Sequence, residues 1–389
     1  MIHRKSIKIL QELAKGYPII AITGPRQSGK TTLSRAVFSD KPYVSLEDLD
    51  QRELATNDPR GFLGHYPDGA VLDEVQRSPG LFSYLQTRVD TDGRMGLFVL
   101  TGSQQFGFLS GITQSLAGRV GFVQLLPFAL SELAVSGIAI SDLNELLYRG
   151  LYPPLYDREV TPESWYSGYV LSYVERDLRQ LITVRDLAAF QRFVRMCAAR
   201  TGQMVNMSAL AGDCGITHNT AKAWLSILEA SYIVFLLRPH YRNFNKRLVK
   251  TPKLYFIDPG LVAWLLGIKG REQMAVHPQR GAIFETWVVG ELLKGRFNRG
   301  LNSNLFYWRD SSGNEVDVLA EEGETLLPIE IKSGQTVAGD YFAGLDRWMK
   351  ITGERVSRSY LIYGGNNIST RGSTEIFPWS AIAGIADTI

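Results

Sequence analysis

The feature that most narrows what this chain can fold into is a junction near its amino terminus. Residues 17–23 (YPIIAIT) form an apolar run of strand length. They pass directly into Gly24, Pro25, Arg26, Gln27, Ser28, Gly29, Lys30, Thr31 and Thr32, after which residues 33–38 read as helix. Strand, GxxxxGK[ST], helix is the order a phosphate cradle needs. The glycines let consecutive backbone N–H groups turn inward, Lys30 reaches outer phosphates, and the Thr31 hydroxyl is placed to ligate Mg²⁺ at the positive end of the new helix. An α/β core that binds a nucleotide, ATP with Mg²⁺, is the expectation.

A second element belongs with it. Residues 69–74 (GAVLDE) read as a short apolar strand ending in two acids, some forty residues after the loop. Asp73 is expected to hold the magnesium and Glu74 to orient or deprotonate the attacking water. Residues 41–47 lie between the two motifs as a further strand, the mark of the additional-strand class of P-loop ATPases. Residues 97–103 (LFVLTGS) then offer Thr101 or Ser103 as a polar sensor beside the γ-phosphate, or as plain strand-terminal hydroxyls. Arg119, in SLAGR, is the candidate arginine finger for a neighbouring subunit, with a structural arginine as the alternative.

At this point the chain resembles the prokaryotic AAA-superfamily ATPases with an Orc/Cdc6-like ATP-binding domain. The resemblance is carried by GPRQSGKTT, VLDEVQ ending at Gln76, LTGS ending at Ser103, LPFALSE from Leu126 to Glu132, and YVERD from Tyr173 to Asp177. It implies architecture and ATP use more firmly than biological role; a homo-oligomer is expected.

Charge distinguishes the middle of the chain. The whole carries 42 − 39 = +3. Between Arg185 and Lys253, however, eleven Lys or Arg stand against three acids, leaving −5 for the remainder. Such a block is either a solvated face or an electrostatic footprint for phosphate. Residues 207–230 favour the second reading. They read as a short helix, a Gly215 turn and a second helix capped by Thr217, with Leu210, Ile216, Trp224, Leu225 and Leu228 as the seam and His218, Asn219 and Lys222 outward. Apolar runs at 232–237 and 253–257 flank the basic stretch from Arg238 to Lys250, as in a winged helix. DNA is therefore the expected partner of the 185–253 segment, although winged helices also serve as dimerisation or lid modules.

The carboxy-terminal third supplies a further acidic set. Residues 281–293 are amphipathic and carry Glu285. Residues 305–309 and 313–320 read as a hairpin bearing Asp317, and residues 327–334 as a third strand bearing Glu330 and Lys332. This resembles the PD-(D/E)xK nuclease fold, in which Asp317, Glu330 and the Ile331 carbonyl would converge on Mg²⁺ and Lys332 would position water. The alternative is a nuclease-like scaffold with Glu330 and Lys332 paired to each other or to Arg309.

The expected fold class is α/β: a P-loop AAA-type ATPase core over 1–137, a helical and winged-helix module over 138–257, and a restriction-endonuclease-like α/β domain over 258–389. Two cysteines, Cys197 and Cys214, exclude a disulfide scaffold. No stretch approaches the ~18 apolar residues of a membrane span, so no membrane partner and a cytoplasmic location are expected. The function expected is an ATPase coupled to DNA, with catalytic Glu74 and Arg119 and a second candidate site at Asp317, Glu330 and Lys332. The rivals are an oligomeric ATP-dependent switch for protein partners and a nucleotide kinase, the latter disfavoured by more than 200 residues after the ATP core.

Overall fold

The structure, a computed structural model, describes residues 1–103, 115–177, 186–240, 250–352 and 358–389, with backbone alone at 174–177. Arg185, Arg242, Lys246 and Arg247 of the basic segment lie outside the described residues, as do the side chains of Glu175, Arg176 and Asp177 in YVERD. The chain divides into two compact units. The first comprises Met1–Phe128, Ala230–Tyr232 and Phe297–Leu301, and the second the remainder.

The first unit is built on a five-stranded parallel sheet: β1 (Ile19–Thr23), β2 (Tyr43–Ser45), β3 (Ala70–Asp73), β4 (Phe98–Gly102) and β5 (Val120–Gln124), in the order β2-β3-β4-β1-β5. Every residue of β1, β3 and β4 is buried, as a parallel sheet covered on both faces requires. The two-residue period sorts them. Ile19, Ala21, Leu72 and Leu100 enter one core, and Ile20, Ile22, Val71 and Val99 the other.

Residues 41–47, which separate the two motifs in sequence, supply β2 at the edge of the sheet. The strand standing between β1 and β3 is β4. Burial matches these places: β4 is buried throughout, whereas the edge strand β2 leaves Tyr43 and Ser45 half-buried. Pairing Leu72 with Leu100 and Ile22 with Thr101 brings the carboxyl ends of β1, β3 and β4 to one edge, where ligands of open α/β sheets bind.

The second unit is helical in its first part. Helices Met207–Cys214 and His218–Ala230 are separated by Gly215 at φ +68°. The Thr217 hydroxyl accepts from Thr220 N at 3.1 Å and caps the second helix. The seam is buried at Leu210, Trp224, Leu225 and Leu228 and partly buried at Ile216. Next comes a small antiparallel sheet of β6 (Gln203–Met204), β7 (Val234–Leu237) and β8 (Lys253–Phe256), in the order β6-β8-β7.

A six-stranded mixed sheet follows: β9 (Leu305–Arg309), β10 (Glu315–Glu322), β11 (Thr325–Lys332), β12 (Ser359–Tyr363), β13 (Ser369–Arg371) and β14 (Thr374–Pro378). Its order is β13-β14-β12-β11-β10-β9. The β9, β10 and β11 strands are antiparallel neighbours, and β11, β12 and β14 run parallel. Among the described residues no helix is long and apolar enough to cross a membrane.

Gly24 shows how tightly the sheet end is built. Its φ is +150°, and a Cβ there would collide with the Leu125 carbonyl. Gly24→Ala is expected to destabilise the protein by about 2–4 kcal/mol. Gly16→Ala, where a Cβ meets nothing within 4 Å, should stay within about 1 kcal/mol of the parent. Thermal unfolding of the two variants distinguishes them.

Candidate functional site

The loop from Gly24 to Gly29 wraps the carboxyl end of β1. Gln27 at φ +65° and Gly29 at φ +92° turn the backbone in the left-handed sense before the helix Lys30–Val37. Pro25 and Ser28 are buried and Gln27 and Thr32 exposed. Arg26 reaches Glu47 at 3.2 Å. The Lys30 ammonium lies back along the loop, donating to Gly24 O at 3.1 Å and Pro25 O at 2.9 Å. Burial lowers its pKa, against the pull of Glu74 and Asp73.

Asp73, at the end of β3 and only 7% exposed, is the hub. It accepts hydrogen bonds from Thr31 Oγ1 at 2.9 Å, from Tyr43 Oη at 2.6 Å and from the Thr101 hydroxyl. Glu74 follows at φ +55°, an uncommon conformation for a side-chain-bearing residue. Its carboxylate accepts from Ser103 Oγ at 2.9 Å and from the Gln76 amide. Both sensor candidates are therefore engaged, Thr101 on Asp73 and Ser103 on Glu74.

Tyr43 and Tyr232 were not legible as site residues. Tyr43 is the first residue of an edge strand, and burial and Asp73 push its hydroxyl pKa up. Tyr232, at φ +56°, donates to Thr23 Oγ1 at 2.8 Å from 209 residues downstream. The only sequence signal was a tyrosine at the start of each of two strand-like runs.

Arg119 forms a forked pair with Asp90, Nε to Oδ1 at 2.6 Å and Nη2 to Oδ2 at 2.8 Å, and also donates to Ala117 O at 3.0 Å. A structural arginine would make such a pair. A finger role would first require that pair to open.

The acidic set of the second unit also comes together. Val318 pairs with Ile329, so Asp317 and Glu330 stand side by side on one face of the sheet, and Lys332 shares that face two residues on. Lys332 Nζ lies 2.5 Å from Glu330 Oε1 and 3.5 Å from Asp317 Oδ2. Asp317 Oδ2 also accepts from Ile331 N at 2.9 Å. Arg309 pairs with Glu315 at 2.8 Å and not with Glu330.

Lys253, on β8, enters the same cluster. It is 3% exposed, pairs with Glu315, and lies 3.2 Å from Glu285 Oε1 and 3.9 Å from Asp317 Oδ1. The Tyr255 hydroxyl donates to Glu285. Burial opposes both ammonium charges, but the surrounding acids outweigh it and raise Lys253 and Lys332. Burial and then Asp317 push Glu330 up to about 8, against Lys332. Among the described residues no group of three or more His, Cys, Asp or Glu is arranged to hold a metal ion.

Lys253 corrects the basic-segment expectation in one respect: its charge faces buried carboxylates and not solvent. Arg200 likewise pairs with Asp213. His218, Asn219 and Lys222 are exposed on the second helix, and Arg192, Arg195, Arg238 and Lys250 are exposed elsewhere in the segment.

A model described as an AAA domain matches residues 16–134. The chain thus carries an AAA-type ATPase domain with a nucleotide-binding core. Two domains of unknown function follow, DUF8612 over 140–272 and DUF4143 over 280–382. The uncharacterized proteins Rv2008c of Mycobacterium tuberculosis and Mb2031c of Mycobacterium bovis are each 34% identical over 325 residues, covering 82% of this chain and 71% of theirs. The chain belongs to the family of these proteins.

Among solved structures, the Walker-type ATPase PABY2304 of Pyrococcus abyssi is 15% identical, covering 68% of this chain and 96% of its own at TM-score 0.47. AMPPCP-bound DnaA of Aquifex aeolicus is 13% identical, covering 58% and 85% at TM-score 0.29. Scores below 0.5 do not establish a common fold.

Glu330 makes the second cluster sensitive to pH. A carboxyl whose folded pKa is raised from 4.5 to about 8 contributes stability that is full below about pH 4.5 and fades as pH rises through 8. Glu330→Gln keeps the neutral form. Its melting temperature should therefore fall less than that of the parent between pH 5 and pH 8, by about 3 °C or more. Equal slopes in calorimetry would refute the shift.

Proposed function

We propose that this protein is a Mg²⁺-dependent ATP hydrolase whose nucleotide cycle is coupled to DNA. The observation that carries the reading is the convergence of Thr31, Asp73, Thr101, Glu74 and Ser103 at the carboxyl edge of one parallel sheet. Thr31 Oγ1 and Asp73 Oδ2 are hard oxygen donors 2.9 Å apart, a pair that fits Mg²⁺, and these two residues would hold it. The ion would neutralise charge on the β- and γ-phosphates.

The chain's own groups divide the remaining work. Backbone N–H groups from Arg26 to Thr32 cradle phosphate, and Lys30, freed from the loop carbonyls, stabilises charge growing on the terminal phosphoryl group. Glu74, held by Ser103 and Gln76, accepts a proton from the attacking water. Thr101 and Tyr43 orient Asp73.

DNA contact is assigned to the exposed helix face of His218, Asn219 and Lys222, with Arg192, Arg195, Arg238 and Lys250 adding phosphate contacts. The helix pair and the antiparallel β6-β8-β7 sheet support a winged-helix reading of 138–257, between an ATPase module at 1–137 and a nuclease-like module at 258–389. The six-stranded mixed sheet, with an acid on β10 and Glu-x-Lys on β11, supports the last.

Lys30→Ala should abolish ATP binding, whereas Glu74→Gln should keep binding and lower turnover by about 100-fold or more. Undiminished turnover in Glu74→Gln would remove Glu74 as the base. Duplex DNA should alter ATP turnover of the parent. In titrations against salt, Lys222→Ala should weaken DNA binding uniformly across sequences and reduce the log–log salt slope by about 1. Binding that ignores salt would rule out this surface.

A further inference from the structure

The nuclease resemblance implies a divalent cation held by Asp317, Glu330 and the Ile331 carbonyl, and the surroundings of the two carboxylates do not fit one. A cation site needs carboxylate oxygens converging on a common point that no other positive group fills. Here Lys253 Nζ already bridges three acids, Glu285 Oε1 at 3.2 Å, Asp317 Oδ1 at 3.9 Å and the closely paired Glu315. Lys332 takes the other oxygen of Asp317 at 3.5 Å and Glu330 Oε1 at 2.5 Å. Asp317 Oδ2 is further committed to Ile331 N. Among the described residues Glu330 Oε2 has no hydrogen-bond partner, and it abuts Gly344, where a Cβ would lie 3.1 Å away. Ammonium groups already face Asp317, Glu285, Glu315 and Glu330, so a divalent ion would have to displace one of them to reach the carboxylates.

We propose that the Lys253 ammonium is the resident cation of this cluster. It takes the place a divalent ion would need and converts a nuclease-like acidic set into an ion-paired brace between β8 and the six-stranded sheet. Three features of Lys253 fit that role. It is almost fully buried, a location a lysine tolerates only with matched acids around it. Its ammonium stands 5.6 Å from the Tyr307 ring centroid on β9, a further cation-binding contact. Its strand neighbour on the same face, Tyr255, donates to Glu285, so the inward face of β8 carries two groups aimed at one carboxylate. The same brace is extended by His240 N donating to Tyr307 O at 2.8 Å and Tyr307 N donating to Arg238 O at 3.1 Å. Strand β7 and its continuation are thereby joined to β9.

The experiment uses the full chain, free of nucleotide, with Mn²⁺ as the probe. Bound Mn²⁺ is counted by electron paramagnetic resonance in the parent and in Glu330→Gln, and both are incubated with linear, nicked and branched DNA in Mn²⁺. The comparison cancels any ion held near Asp73. Equal Mn²⁺ counts and no cleavage by either protein are expected. An ion bound by the parent and lost in Glu330→Gln, or cleavage by the parent that Glu330→Gln lacks, overturns the proposal.

Lys253→Met supplies the positive arm. Removal of the internal cation should lower the melting temperature by about 4 °C or more in metal-free buffer, and Mn²⁺ should recover at least half of that loss and raise the Mn²⁺ count by one. A folded Lys253→Met protein that loses no stability, or gains no Mn²⁺, also overturns it. If this variant does not fold, the comparison of parent with Glu330→Gln decides alone.

Discussion

The first unit depends on a single buried carboxylate. Asp73 cannot stay charged at the end of an apolar strand without donors, since an unpaired buried charge costs several kcal/mol. Three hydroxyls meet that need: Thr31 from the helix after the loop, Tyr43 from β2 and Thr101 from β4. Hydrogen bonds to a charged acceptor contribute about 1.5–3 kcal/mol each. One side chain therefore fixes the relative positions of the phosphate loop and the strand ends beside it. The sheet order follows the same demand, because Thr101 reaches Asp73 only if β4 lies next to β3.

The second unit meets a similar demand by different means. Asp73 is satisfied by neutral hydroxyls, which bring no positive charge of their own. Asp317, Glu285, Glu315 and Glu330 are satisfied largely by ammonium groups. Both arrangements bury acids at comparable depth, with Asp73 and Glu330 each 7% exposed. Under the two proposals, the partner type, and not the number of acids, separates the site that would take Mg²⁺ from the one whose positive charge is built in.

What could be read from the sequence was local. The phosphate loop, the acids ending β3 and the two helices around Gly215 are each specified within about 25 consecutive residues, by turn chemistry, apolar period and capping. The pairing of Asp317 with Glu330 was also accessible, because hairpin register follows from strand alternation. Lys253 was not. In the sequence it is the last member of a basic block, and its burial depends on Glu285, Glu315 and Asp317, all more than 30 residues away. The alternation on β8 held the clue: Lys253 and Tyr255 share one face of a strand whose every residue is buried, so both polar groups had to find partners inside.

Tyr232 carries the same lesson into the ATPase core. It lies two residues after the end of the helix His218–Ala230 and precedes β7, yet it packs with the first unit and bonds to Thr23, the last residue of β1. Its backbone sits at φ +56°, a conformation that costs about 1–3 kcal/mol for a residue with a side chain. The surrounding structure must offset that cost, and the buried hydroxyl–hydroxyl bond at the foot of the phosphate loop is one return. The bond ties Tyr232 to the residue before Gly24. A shift of the loop on binding phosphate would then be felt at Tyr232 through one hydrogen bond.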